Sequence, residues 1–198
     1  MINAEKRLKL GCVVMAAGNA RRFGENKLAA SLDGRSLIRH ALEAVPADRF
    51  DAVTVVTQYP EIMKLAGKYH FAAVHNPHPD RGISHTIKLG LTTLRDCDAV
   101  LFQVSDQPLL KQSSVAGLLD FYFVHPEHIV GLSHGGVRGN PCMFPKQFFP
   151  ELLALSGDRG GNAVIQQHED ALLLWEVPAE QLTDVDTPAA LESLKQHG

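Results

Sequence analysis

A short apolar run, Cys12-Val13-Val14-Met15-Ala16, passes without a break into Ala17-Gly18 and then into a polar, basic stretch from Asn19 to Lys27. The run has the length and content of a buried strand. The small residues Ala16, Ala17 and Gly18 leave the backbone bare, so a phosphate or a planar base can approach main-chain N–H groups closely. Arg21, Arg22 and Lys27 add fixed positive charge to the same loop. A guanidinium fork matches phosphate oxygens. The stretch therefore reads as a nucleotide-phosphate loop at the carboxyl end of a first strand. Two other phosphate loops are excluded by spacing. Gly18 and Gly24 are separated by five residues with no lysine directly after Gly24, and positions 20 and 21 are Ala and Arg. Neither the P-loop nor the dinucleotide fingerprint fits.

Downstream, apolar β-branched runs alternate with segments of helical spacing. Strands are expected over residues 52–57, 71–74, 99–104, 129–132, 142–144 and 171–177. Helices are expected over about 36–45, 60–69, 83–94, 112–124, 146–155, 161–168 and 188–195. The glycine-rich stretch 135–141 reads as a loop. This alternation predicts an α/β fold with a mostly parallel sheet. The 198 residues, 45% hydrophobic, suit one domain spanning 1–198. Ligands in such sheets collect beyond the carboxyl ends of the strands. The polar loops 18–27, 75–82 and 105–108 all follow strands and should share that edge.

A formal charge of −3 offers no basic field for nucleic acid. No apolar run is long enough for a membrane span, and residues 1–10 lack a signal-peptide core. Cys12, Cys97 and Cys142 have no CxxC spacing, which points to reduced thiols and a cytoplasmic protein.

Asp106 ends an apolar strand just before Gln107-Pro108, and Asp186 lies in the turn Asp184-Val185-Asp186-Thr187-Pro188. Two carboxylates facing a basic loop suit a magnesium–nucleotide site, because Mg²⁺ takes one or two carboxylates together with phosphate oxygens. Each aspartate has a plainer reading as well: Asp106 as a turn residue, Asp186 as the cap of a helix starting at Pro188. His75, His78 and His85 are better suited to the rim of a site than to a metal, since prolines break the first pair's spacing.

Seven segments in order carry a family resemblance. VVMAAGNARRFGENKL is similar to the signature loop LAAGxSxRMGxxKLL of the MobA/MocA-like nucleotidyltransferases. Residues 32–37 resemble L-x-G-x-P-L, with Ser36 for Pro, and residues 82–91 resemble GMSSSLxxGL. Ser105-Asp106-Gln107-Pro108 resembles the DQP metal motif. Gly139-Asn140-Pro141 resembles the G-[HN]-P of the MocA branch. Residues 157–162 resemble GDxGAR, and 184–188 resemble a DIDTP end. The resemblance spans about Leu10 to Leu194.

It implies a three-layer, Rossmann-like nucleotidyltransferase fold of glycosyltransferase-A type. It also implies transfer of a nucleoside monophosphate from an NTP to a phosphate-bearing acceptor, with loss of pyrophosphate. By resemblance, Ala16, Ala17 and Gly18 meet the nucleotide, Arg22 and Lys27 the triphosphate, and Thr86 the base or ribose. Asp106 and Asp186 hold Mg²⁺. Asn140, Pro141 and Asp158 face the acceptor. Arg22, Lys27 and Asp106 form the catalytic set. Ala16-Ala17-Gly18 and Gly139-Asn140-Pro141 favour the CTP-using branch, which makes molybdopterin cytosine dinucleotide and serves a client molybdenum hydroxylase. Three departures stand against the pattern: Ala20 for Ser, His85 for Ser, and Asn162 for Arg. A relative using GTP or another phosphorylated acceptor stays open, as does a non-catalytic cofactor chaperone, although retention of both aspartates argues against the latter.

Overall fold

The computed structural model describes residues 7–18 and 26–196. Its first strand, β1 (Leu10–Ala16), is an inner strand of the four-stranded parallel run of a seven-stranded sheet. The chain then forms a small hairpin, β2 (Ser31–Leu32) and β3 (Arg35–Ser36), and continues through α1 (Leu37–Glu43), β4 (Ala52–Thr57), α2 (Pro60–Lys68), β5 (Ala72–His75) and α3 (Ile83–Thr93). There follow β6 (Ala99–Val104), α4 (Gln112–Val124), β7 (Ile129–His134), β8 (Val137–Pro145), α5 (Phe149–Ala154), α6 (Asn162–Ile165), β9 (Leu172–Glu176) and α7 (Pro188–Gln196). The sheet order is β5-β4-β1-β6-β8-β7-β9, and β8 alone runs antiparallel to its neighbours.

β1 is apolar throughout because both of its faces are covered. Cys12, Val14 and Ala16 point into a cluster with Ile38 and Leu42 of α1, Ile62 and Ala66 of α2, and Leu118 and Leu119 of α4. Val13 points the other way, toward Ile87 and Leu91 of α3 and Leu152 of α5. The result is a three-layer α/β/α arrangement. Helix α3 lies very close on β1: a Cβ built at Gly90 would fall 2.6 Å from Val13 Cγ1. Only a residue without a side chain permits that approach.

The stretch 135–141, expected as a loop, is largely strand. Gly135 and Gly136, at φ 58° and 76°, form a two-residue hairpin turn, and the ladder resumes at once with His134 opposite Val137. Two glycines supply the positive φ values that such a turn needs, so no longer loop is required. Between the pairs Ser133–Arg138 and Gly131–Cys142, β7 has Leu132 alone while β8 has Gly139, Asn140 and Pro141. These residues form a bulge, the place where a strand tolerates a proline lacking N–H. The helix expected over 146–155 is a 3₁₀ turn followed by the short α5, and the one over 161–168 shrinks to α6.

The tail returns to the front of the sheet. Leu191 of α7 packs with Val185, Leu32 and Leu37 in a third apolar cluster. Among the described residues, no helix is long and apolar enough to cross a membrane.

Candidate active site

β1, β4, β5 and β6 are parallel, so the loops after them emerge on one edge. A cavity of about 470 Å³ opens there. Ala17, Gly18, Lys27, Thr86, Asp106, Asp158 and Asp186 all line it. Ala16 ends β1 beneath the cavity, buried and outside its lining. Asn140 and Pro141 lie in the β8 bulge and are not among the lining residues. Arg22 lies outside the described residues, as do Ala20 and Arg21.

The exit of β1 is held by its carbonyl groups. Ser105 Oγ donates to Met15 O (2.8 Å), Gln58 Nε2 to Ala17 O (3.0 Å) and Tyr59 OH to Gly18 O (3.4 Å). A Cβ built at Gly18 meets no atom of the described residues within 4 Å.

Lys27, Asp106 and Asp186 converge. Lys27 Nζ donates to Asp106 Oδ2 at 2.7 Å and to Asp186 Oδ1 at 3.2 Å. The lysine side chain is 16% exposed, against 22% and 54% for the two aspartates. Burial alone would pull the ammonium's pKa down. The hydrogen bonds and charges of Asp106, then of Asp186, outweigh it, so the pKa is raised and the group stays cationic. Asp184 beside them has its carboxyl pushed up, first by partial burial and then by the negative charge of Asp106. Asp186 reaches this place through the backbone: Val185 N–H donates to Asp106 O (2.8 Å), and the Val185 side chain is fully buried. Two carboxylate oxygens within reach of one cation form an oxygen-only donor pair. That chemistry fits a hard divalent ion that completes its shell with phosphate and water.

Thr86 is buried on the first turns of α3. Its Oγ1 accepts a hydrogen bond from Asn76 Nδ2 (3.2 Å), and Asn76 has no exposed surface. Asn76 Oδ1 also accepts from His78 N–H (2.9 Å), an Asx turn that shapes the loop before α3. Sequence reasoning passed over Asn76. Its signal was the Asn-Pro pair directly after a strand, which marks turn initiation. Asp80, Ile83 and Leu28 are further lining residues without a sequence signal of their own.

Gly82 starts α3 at φ 80°. A Cβ there would fall 2.4 Å from the Gly157 carbonyl and 2.5 Å from Asp158 Oδ1, while Ser84 N–H donates to Gly157 O (3.2 Å). This close approach brings Asp158 to the cavity wall. Asn162, which stands where the resemblance has an arginine, accepts a hydrogen bond from Arg138 Nη2 (2.8 Å). The same guanidinium donates to Gly139 O (3.2 Å), so a cation still stands beside Asn162, contributed by β8. Cys142, raised in pKa chiefly by burial, is a packed thiol under that arginine.

Residues 12–172 match the family model of the MobA-like NTP transferase domain. The chain belongs to this family. As a MobA-like NTP transferase it is 27% identical over 197 residues to the purine catabolism protein PucB of Bacillus subtilis strain 168, covering 93% of this chain and 95% of PucB. It is 30% identical over 113 residues to a 2-C-methyl-D-erythritol 4-phosphate cytidylyltransferase of Dehalococcoides mccartyi, covering 54% of this chain and 50% of that protein. A solved nucleotidyl transferase from Methanothermobacter superposes with a TM-score of 0.80 at 19% identity, covering 96% of this chain and 97% of the other. The Rossmann-like nucleotidyltransferase fold is thereby established.

Proposed function

We propose that this MobA-like chain transfers CMP from CTP to the phosphate of a molybdopterin-type acceptor, releasing pyrophosphate, as a single cytoplasmic domain over 1–198. The observation that carries the reading is the Lys27–Asp106–Asp186 cluster on the wall of a nucleotide-sized cavity. The two carboxylates suit Mg²⁺, which when bound neutralises charge on the phosphates. The protein's own groups do the rest. Ala17 and Gly18 offer open backbone to the nucleotide, and Thr86, oriented by Asn76, faces base or ribose. Lys27, with Arg22 assigned by resemblance, meets the charge that gathers on the leaving pyrophosphate. An acceptor phosphate is already ionised near neutral pH, so no strong general base is needed. Asp158 contributes to the acceptor side of the cavity, and Asn140 and Pro141 act from the bulge beyond it.

The Ala16-Ala17-Gly18 sequence supports cytosine, as does the likeness to the Dehalococcoides cytidylyltransferase. That relative's name also specifies a phosphate monoester acceptor. The Asn162–Arg138 pair favours a second reading, the same transfer to a differently shaped phosphorylated acceptor. The decisive experiment is pyrophosphate release with Mg²⁺ and each of CTP, GTP, ATP and UTP, with and without molybdopterin cofactor. Release with CTP plus cofactor is expected, reduced at least about 100-fold in Asp106→Ala. Cofactor-dependent release with GTP would overturn the base assignment. Nucleotide binding without release for any pair would move the protein to another acceptor or to the delivery of cofactor to a molybdenum hydroxylase.

A further inference from the structure

A second, chemically different group of side chains able to ligate a metal lies at the other end of the sheet. Helix α4 runs back from the carboxyl end of β6 and stops at Val124. Before β7 begins, the chain makes one turn, His125-Pro126-Glu127-His128. β7 runs parallel to β6, both being antiparallel to β8, so its start lies on the edge opposite the cavity. His128 N–H donates to His125 O (3.1 Å), and Pro126 supplies the backbone angle preferred at the second position of such a turn. The two imidazoles therefore stand at the first and fourth positions of one closed turn.

One donor atom from each of His125, Glu127 and His128 lies within 4.8 Å of the others. With metal–ligand bonds of about 2.0–2.1 Å, a tetrahedral Zn²⁺ holds its ligand atoms about 3.4 Å apart, so small side-chain rotations close the set. Inside the cluster the closest pair makes contact without a hydrogen bond. Glu127 Oε1 is 2.8 Å from His128 Nδ1, yet this shielded nitrogen makes no hydrogen bond, so the carboxylate lies off its bonding direction. His168 provides the contrast within the same molecule. There Nε2 bonds both oxygens of Glu151 at 2.9 Å with proper alignment. Donors that crowd together without pointing at each other are free to point at a common centre.

The turn is also pinned from below. The buried Tyr122 OH donates to Pro126 O (2.9 Å), and Gln147 Nε2 donates to Glu127 O (2.9 Å). The Phe121 ring packs edge-on against His125, with centroids 4.8 Å apart. Ordering this backbone before the ligand arrives removes part of the cost of binding.

We propose that His125, Glu127 and His128 bind one borderline divalent transition-metal ion of the Zn²⁺ class, with a fourth position open to solvent. Two imidazoles and a carboxylate select such an ion over Mg²⁺, which prefers the oxygen-only pair at the cavity. The test uses the full chain, tag-free and metal-stripped, titrated with Zn²⁺ against a chromophoric chelator and with Co²⁺ followed by its visible absorption. One Zn²⁺ per chain is expected in the wild type and equally in Asp106→Asn. Affinity should fall at least tenfold in His125→Ala/His128→Ala, with nucleotidyl transfer unchanged. Absence of stoichiometric binding at micromolar Zn²⁺ would overturn the site. So would binding that survives the double substitution or disappears in Asp106→Asn. Should the double variant fold poorly, Zn²⁺-induced shifts of both imidazole resonances in the wild type by NMR decide the question, and unmoved resonances would overturn the site.

Discussion

At the scale of single residues, Lys27 has two tasks in conflict. Without nucleotide it neutralises Asp106 and Asp186. The proposed reaction needs those carboxylates for a metal and needs the ammonium on the phosphates. Replacing it by methionine separates the two tasks. Lys27→Met should lower transfer about 10²–10³-fold, the usual cost of removing one transition-state donor. The same variant should bind Mn²⁺ more tightly than wild type in the absence of nucleotide, measured by electron paramagnetic resonance. Unchanged Mn²⁺ affinity would contradict the competition. The lysine's raised pKa sets the sign of the pH effect: its contribution to stability is fully present below the ordinary value of 10.5 and is lost only as pH rises through the higher folded value.

At the scale of elements, two short connections do most of the positioning. The start of α3 depends on Gly82, whose φ of 80° and backbone contact with Gly157 leave no room for a methyl group. Gly82→Ala should destabilise the fold by about 1–3 kcal/mol and raise KM for the nucleotide, since Thr86 and Asp158 are both set by this junction. Urea unfolding and steady-state kinetics measure the two effects. The β7–β8 turn is held from β9: the Glu176 carboxylate accepts hydrogen bonds from Ser133 Oγ (2.8 Å), Gly135 N–H (2.9 Å) and Gly136 N–H (3.0 Å). The Ser133 hydroxyl and these N–H groups hold its pKa below the ordinary 4.5. A depressed carboxylate stabilises above its unfolded value and loses that contribution as pH falls through the folded one. Hydrogen exchange at Gly135 and Gly136 should therefore accelerate in acid below pH 4.5, beyond the intrinsic pH dependence of exchange. Glu176→Ala should show the faster exchange already at neutral pH.

For the whole molecule, the cavity draws on segments that sequence holds far apart, four of them being the exit of β1, the start of α3, the end of β6 and the tail before α7. A ligand that touches all four should stabilise the folded chain as a unit. CTP with Mg²⁺ at about 100 times its dissociation constant should add about 2.7 kcal/mol, read as a rise in Tm. Asp106→Ala should abolish most of that rise.

The elements legible in the sequence were those whose signal is local. β1, β4, β6 and α4 appear where hydrophobic period and β-branching put them, and α4 covers 112–124 as read. So was the edge on which Lys27, Thr86 and Asp106 would meet, because strand–loop polarity in a parallel sheet dictates it. What tertiary structure alone decided is pairing between distant backbone segments. Whether 135–141 is loop or strand depends on a remote partner, and β7 supplies one to Val137 and Arg138. The Asp186 carboxylate stands at Lys27 because Val185 N–H finds the Asp106 carbonyl and the Val185 side chain fills an apolar gap under α7. Periodicity records which face of an element is apolar, but carries no information about which remote carbonyl will take a given N–H.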